Sequence, residues 1–392
     1  VPTKLSKPDS FFEQHAASSP LSVGAKYQLK ITGLGSHGEG MGHLGEHQVF
    51  VEKTAPGDLV EIEIYASKKS RYFAKVVNWI EKAASHEHVQ CPHFYECGGC
   101  SIQHLSSDEQ ASWKQKILNH WITRSPIAPF AEDISIQYET SPKDYHYRHR
   151  VKISARDGQL FFFESRSQKP VPLESCPVLV EGFFEALQAE AKTRDFDSED
   201  FSFQNQQLMK TESSYTVEGS ELFFDSSCFT QGNLFGNESL VHYLIQEAKK
   251  IEDPQLCLDY YSGIGNFSLP LSALFKRVIG IESHPRAIAF ARRNGPQVEW
   301  LQKETKQALD LLQQEPDLVV LDPPRMGALE LCRALCESPP QKVIYVSCSL
   351  PSLIRDLTPL LKRKIFRLEA WKSFDLFPQT KHLESVVVLQ KI

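Results

Sequence analysis

Several things are missing from this chain, and each absence excludes a class of protein. No apolar run in the 392 residues approaches the roughly 18 needed to span a bilayer. Val1 to Pro20 has no apolar core of the kind a signal peptide requires, so residues 1–22 are expected to be a disordered leader with Phe11-Phe12 its only apolar spot. There is no excess of positive charge: 43 basic against 49 acidic residues give a net charge of −6, so any nucleic-acid binding has to come from local patches. There is no internal repeat. The composition, 41% hydrophobic and 23% charged, is not that of a disordered or fibrous chain, and the length predicts two or three domains with ample core. Nine cysteines is an odd number. Without an export signal they point to a reducing cytoplasm, where cysteines are more often metal ligands or nucleophiles than disulfides.

What is present falls into three segments after the leader. Residues 23–82 alternate short β-type runs, Lys26–Ile31, Gln48–Val51, Leu59–Tyr65 and Tyr72–Trp79, with Gly33, Gly35, Gly38, Gly40, Gly42 and Gly45 marking turns. That pattern predicts a small barrel of the oligonucleotide-binding type. Lys68, Lys69, Arg71 and Lys75 cluster at one turn among Tyr65, Tyr72 and Phe73. Such a set suits single-stranded RNA, and a solvated hairpin tip explains it equally well. Residues 83–232 form a β-rich central segment behind a helix near Ser107–Ile122, capped by Ser107 or Asp108. The segment carries a basic aromatic stretch (Lys143, Tyr145, Tyr147, Arg148, Arg150, Lys152, Arg156) and an acidic run (Asp195, Asp197, Glu199, Asp200) read as a solvated loop. Residues 233–392 alternate apolar strands with helical stretches, which predicts an α/β, doubly wound parallel sheet.

The chemistry-bearing motifs sit at strand ends of that last segment. Asp259-Tyr-Tyr-Ser-Gly-Ile-Gly-Asn-Phe267 follows the first strand. Gly263 and Gly265 allow backbone to approach a nucleoside there, and Glu282, ending the second strand, can accept the two hydroxyls of a ribose. The plain alternative is a glycine turn and a surface glutamate. Leu321-Asp-Pro-Pro-Arg325 ends the fourth strand. Arg325 stands where adenine-N6 methyltransferases carry a stacking aromatic residue, and the loop lacks the cysteine of the cytosine-C5 enzymes. Cys348, at the end of the fifth strand, is placed as a nucleophile, against the alternative of a buried core thiol. His382 and Glu384 lie at the start of the last strand, where a carboxylate can serve as a base.

Together these blocks resemble the RNA uracil-C5 methyltransferases over nearly the whole chain. Ser347-Cys348-Ser349-Leu350 matches the family's Ser-Cys-Asn-Pro except for Asn-Pro, His382-Leu-Glu384-Ser385 matches His-x-Glu-Ser, and Phe229-Thr-Gln231-Gly-Asn233 matches Phe-x-Gln-x-Asn. The resemblance implies a Rossmann-like class I methyltransferase domain that uses S-adenosyl-L-methionine. It implies Cys348 as nucleophile and Glu384 as base, with cofactor contacts at Gln231, Tyr261, Gly263, Gly265, Asn266, Glu282, Glu304 and Asp322. The N-terminal barrel resembles a TRAM domain. Cys91, Cys97 and Cys100, spaced x5 and x2, with Cys176-Pro further on, can supply four thiolates. Zinc would accept the same ligands, and the resemblance favours a [4Fe–4S] cluster. The implied activity is methylation of a uridine of 23S ribosomal RNA by a monomer, with Arg148 and Arg150 gripping phosphates. The T-loop of transfer RNA is the second substrate, and a non-catalytic RNA-binding or assembly factor is the reading from another class.

Overall fold

Along Leu59–Lys68 every second residue is apolar, and Val60, Ile62 and Ile64 are fully buried while their neighbours reach the surface. This is the alternation of a strand with one wet face. The computed structural model describes residues 20–392 apart from 205, 210 and 211. The expected leader therefore lies almost wholly outside the described residues. The chain forms two compact units: the described residues through Trp113 with Gln379–Lys381, and Lys114–Pro378 with His382–Ile392.

In the first unit β1 (Lys26–Lys30), β2 (Gly33–Leu34), β3 (Gly40–Leu44), β4 (His47–Val51), β5 (Leu59–Lys68) and β6 (Arg71–Glu81) make a sheet of order β1-β5-β6-β4-β3-β2. Leu29, Ile31, Val49, Val51 and Ala74 complete its core with the buried face of β5. Gly40 and Gly42, expected at turns, lie within β3. A Cβ at Gly40 would collide with Thr54 Oγ1, and one at Gly42 with the Lys30 carbonyl oxygen. Glycine is there because neighbouring backbone passes close by. Helix α1 (Ser107–Thr123) is capped by Ser106, one residue before the expected cap. Glu109 N–H donates to Ser106 Oγ (3.3 Å) and Ser106 N–H donates to Glu109 Oε2 (2.8 Å), a reciprocal capping box.

The second unit opens with β7 (Ile136–Glu139), β8 (Arg150–Arg156), β9 (Gln159–Phe163), β10 (Pro170–Pro172), α2 (Phe183–Ala191), β11 (Phe196–Gln204) and β12 (Gln207–Met209). Strands β8 to β12 form a sheet of order β10-β9-β8-β11-β12 packed on α2 through Phe183, Phe184 and Leu187. The acidic run expected to be a loop is the first half of β11. A bulge between Phe196 and Glu199, with Ser198 at φ 48°, breaks the two-residue period. Phe196, Phe201 and Phe203 are buried while the acids face out.

A hairpin of β13 (Ser213–Val217) and β14 (Ser220–Phe224) leads into α3 (Leu234–Ala248). Then follow β15 (Leu256–Tyr260), α4 (Ser268–Leu271), β16 (Arg277–Glu282), α5 (Pro285–Asn294), β17 (Glu299–Gln302), β18 (Leu318–Leu321), α6 (Leu329–Glu337), β19 (Lys342–Ser347), α7 (Leu350–Lys362), β20 (Phe366–Phe374) and β21 (Glu384–Lys391). The eight-stranded sheet has the order β17-β16-β15-β18-β19-β21-β20-β7. Its continuous apolar strands bury both faces. Leu258, Tyr260, Val319, Leu321, Val343 and Tyr345 belong to one core, and Cys257, Val278, Val320, Ile344 and Val346 to the other.

Two features depart from the expected parallel sheet. The last strand, β21, runs antiparallel to β19, and β20, absent from the sequence reading, pairs antiparallel with β21. β7, from the central segment, adds a parallel edge strand beside β20. This mixed seven-strand order with an antiparallel insertion is that of class I methyltransferases. Among the described residues no helix is long and apolar enough to cross a membrane.

Candidate active site

The register of the sheet assembles the site. In the antiparallel pair β19–β21, Ser347 stands opposite Ser385 at the last register position. Cys348 follows the first serine and Glu384 precedes the second, so both leave the same end of the pair, near enough for the charge of Glu384 to act on the thiol. The parallel neighbour β18 ends at Leu321, alongside Tyr260 of β15 and Tyr345 of β19, and delivers Asp322 to the same edge. Four segments distant in sequence thus converge at the carboxyl edge, where open α/β sheets bind ligands.

Electrostatics tie these residues into one group. Burial pushes the Cys348 thiol up to about 11, the negative charges of Glu384 and Asp322 add to the rise, and Arg325 opposes it by its charge and a hydrogen bond. Glu384 is 3% exposed, not a surface carboxylate. Burial raises it well above the usual carboxylate range, Asp322 raises it further, and Arg325 opposes both. Burial lifts Asp322 to about 7. Arg325, which the sequence offered only as the absence of an aromatic residue, is therefore the cation of the site. Its position directly after Asp-Pro-Pro was the available signal. His382 makes an edge-on contact with Phe377, 5.9 Å between ring centroids.

The replacement of Asn-Pro by Ser349-Leu350 leaves the turn after Cys348 closed. Ser349 N–H donates to Ser347 Oγ (3.2 Å), Ser349 Oγ donates to Ser352 Oγ (3.1 Å), and Ser352 Oγ donates to the Arg325 carbonyl (2.7 Å). Ser349 is the N-cap residue of α7 and Pro351 lies in its first turn. The proline's role at a helix start is filled one residue later than in the family motif.

Next to this group lies the glycine turn. Tyr261, Gly263 and Gly265 all have positive φ (64°, 55° and 104°). A Cβ on Gly263 would meet nothing within 4 Å, so open space borders the turn there. Glu282 holds the turn's rim: its Oε2 accepts from Gly263 N–H (3.1 Å) and its Oε1 from His284 N–H (2.7 Å). Asp259, not singled out from sequence, is fully buried at the end of β15. Its Oδ2 accepts from Ser268 Oγ (2.5 Å) and its Oδ1 has no partner. Burial, with the charges of Asp322 and Glu282, raises Asp259 to about 7. An open glycine-lined space, an acidic rim and an unpartnered buried acceptor suit a group that brings hydrogen-bond donors, as the amino and ribosyl parts of S-adenosylmethionine do.

The other expected cofactor residues divide. Tyr261 lies beside Glu304 and its hydroxyl is hydrogen-bonded to Thr305. Glu304 is an exposed cap: it precedes the 3₁₀ segment Thr305–Gln314 and shares a capping box with Gln307. Asn266 spends its amide on the scaffold. It exchanges two hydrogen bonds with Asn237 of α3 (2.9 and 3.0 Å) and accepts one from the Tyr215 hydroxyl (2.9 Å). Gln231 is buried, two residues ahead of Asn233, the N-cap of α3. Phe229 of the same motif is 72% exposed.

The residues expected to grip RNA are also redistributed. Arg150 donates to the carbonyls of Cys228 and Ser226, and Arg148 Nε to that of Arg150, so both brace the fold. Tyr147 is buried with its hydroxyl on the Pro378 carbonyl. In the first unit Tyr72 is buried and Phe73 stacks on Phe50, while Tyr65 is 40% exposed and Lys68, Lys69 and Arg71 are exposed.

Burial lowers the affinity of Lys53 for a proton, and three of the four expected cluster cysteines, Cys97, Cys100 and Cys91, lie near enough to oppose that fall. Gly99 N–H donates to Cys97 Sγ (3.4 Å) and Lys53 Nζ donates to the Cys97 carbonyl (2.8 Å). Yet among the described residues no three His, Cys, Asp or Glu side chains are grouped so as to hold a metal ion. Cys176 lies in the second unit, half-buried.

Comparison with known proteins bears on the family and the fold. The family model described as tRNA (uracil-5-)-methyltransferase matches residues 203–302 and 303–392, and the TRAM domain model matches residues 20–77. An uncharacterized RNA methyltransferase of Bdellovibrio bacteriovorus is 30% identical over 406 residues, covering 96% of this chain and 98% of its own. A 23S rRNA (uracil(1939)-C(5))-methyltransferase, RlmD, of Shewanella sediminis is 27% identical, covering 97% and 99%. Among solved structures, the tRNA (uracil-54, C5)-methyltransferase of Pyrococcus abyssi superposes with a TM-score of 0.71 at 22% identity, over 92% of this chain and 99% of that one, and so shares the fold.

Proposed function

The chain belongs to the tRNA (uracil-5-)-methyltransferase family, and from that premise we propose that it methylates carbon-5 of a uridine in 23S ribosomal RNA. The observation that carries the reading is that Cys348 and Glu384 leave the same end of the β19–β21 pair, with Glu384, Asp322 and Arg325 all close enough to act on the thiol. Carbon-5 of uracil is too weak a nucleophile to take a methyl group unaided. The Cys348 thiolate adds to carbon-6, and the ring becomes an enolate with carbanion character at carbon-5. Arg325, hydrogen-bonded to the sulfur, stabilises the thiolate that burial disfavours. The Gly263–Gly265 turn, Glu282 and the open space beside them would hold S-adenosylmethionine, which would supply the methyl: carbon-5 bonds to it as the sulfonium carbon–sulfur bond breaks and S-adenosylhomocysteine leaves. Glu384, ionised, then takes the carbon-5 proton, the electrons return to the ring, and the carbon–sulfur bond breaks. A base stacked in a helix cannot reach a half-buried thiol, so the target uridine is looped or flipped out.

We also assign a [4Fe–4S] cluster to Cys91, Cys97, Cys100 and Cys176. The support is their spacing and the gathering of the first three about Lys53. Anaerobically purified protein should contain iron and sulfide, and stoichiometric zinc without iron would overturn the assignment.

The test of the main reading is incubation with methyl-labelled S-adenosylmethionine and total RNA, followed by mapping of the label. Label on carbon-5 of a 23S uridine is expected. Label in the T-loop of transfer RNA would move the substrate, and no label in any RNA would leave a binding factor without catalysis.

A further inference from the structure

The loop after Asp-Pro-Pro carries a side chain that the chemistry above does not use. Met326 is 82% exposed, more than any other large apolar residue among those described. It follows Arg325, whose carbonyl is tied through Ser352 Oγ to Ser349, the residue after Cys348, so the loop that carries it borders the Cys348 turn. Nothing in its backbone is loose. Arg355 Nη2 donates to the Met326 carbonyl (2.6 Å), and Ser352 Oγ donates to the Arg325 carbonyl (2.7 Å). Gly327 N–H donates to the Pro324 carbonyl (2.7 Å), and Ala328 N–H donates to Asp356 Oδ2 (2.6 Å). Gly327 sits at φ 76°, and a Cβ there would collide with Asp356 Oδ2.

An exposed apolar residue on a loop held by four hydrogen bonds is presented, not merely left over. Resting on the function proposed above, we infer that Met326 is a wedge: its thioether packs against the nucleobase that flanks the target uridine and takes the place that the uracil leaves. Extruding a base costs a few kcal/mol of stacking, and an apolar side chain inserted at the step recovers part of it. Methionine suits the task, being unbranched, polarizable and able to lie on any base face. In this proposal the flipped uracil sits at Cys348 beside Arg325, and the flanking base lies against the adjoining residue 326.

The experiment compares two RNAs that carry the same target uridine, a stacked hairpin and an unstructured oligonucleotide, with wild type, Met326→Ala and Met326→Leu. Met326→Ala should lose about tenfold in kcat/KM on the hairpin and less than about threefold on the oligonucleotide, because only the hairpin has stacking to replace. Met326→Leu should recover most of the hairpin rate. With 2-aminopurine beside the target, the fluorescence rise that reports unstacking should shrink in Met326→Ala and return in Met326→Leu. Equal losses on both RNAs would show a general loop defect and overturn the wedge, and so would full activity of Met326→Ala on the hairpin. Wild type inactive on every RNA would instead sink the proposed function itself.

Discussion

At the scale of single residues, the site is a set of protons held where water would not hold them. Burial pushes Cys348 up to about 11, so in the free protein at neutral pH the nucleophile is a thiol, and burial raises Glu384 well above the usual carboxylate range. The thiol must lose its proton to work, and the rise at Glu384 has the same sign. The kcat/KM, which reports the free enzyme, should therefore climb across pH 7 to 9, by about tenfold per unit while thiolate is limiting. A flat or falling profile in that window would contradict the assignment. Cys348→Ala should bind S-adenosylmethionine with unchanged affinity in calorimetry and transfer no methyl, since the glycine turn and the thiol are separate groups. Glu384→Gln keeps the shape of the carboxylate but accepts no proton. It should take the methyl and then stall, leaving a methylated RNA–protein adduct that survives denaturing electrophoresis. If His382→Gln traps that adduct and Glu384→Gln turns over freely, the base is His382.

At the scale of elements, most strands of the last segment and the motifs at their ends were legible because continuous apolar runs such as Leu318–Leu321 have one reading, burial on both faces. The antiparallel direction of β21 was not, since a buried run carries no mark of direction. β11 was hidden by its bulge, and β3 by glycines whose purpose is a close backbone approach. The nucleophile and base were legible as motifs, but their departure from the same end of the β19–β21 pair is a property of register. Arg325 and Asp259 were missed because their roles depend on what the fold packs against them. Asp259 also makes β15 sensitive to pH. Its carboxyl is raised to about 7 when folded, against 3.8 when free, so the native state binds this proton more tightly. Its contribution to stability is full below about pH 4 and is lost as pH rises through about 7. Asp259→Asn removes that dependence. In urea unfolding without cofactor, the variant should gain on wild type by about 2 kcal/mol more at pH 8 than at pH 5. An equal difference at both pH values would place the carboxyl's proton outside the folding balance.

At the scale of the whole molecule, a net charge of −6 sets the problem of binding a polyanion. Long-range attraction cannot come from the total, so it has to be local. The tip between β5 and β6 offers Lys68, Lys69 and Arg71, all exposed, and Tyr65 is exposed on β5. Register places Lys68 opposite Arg71, so the tip is a fixed pair of cations closed by Lys69 at φ 57°. Arg148 and Arg150, the other candidates, brace carbonyls. Each phosphate neutralised on a single strand contributes about −0.7 to the slope of log K against log salt. Replacing Lys68, Lys69 and Arg71 together with alanine should therefore flatten that slope by about 2 and weaken binding most at low salt. The methyl-transfer step, far away in sequence and built from other residues, should keep its rate once RNA saturates the enzyme. KM should thus rise with kcat nearly constant. A fall in kcat with an unchanged salt slope would mean that the tip does not hold phosphate and that its basic residues form an ordinary solvated hairpin end.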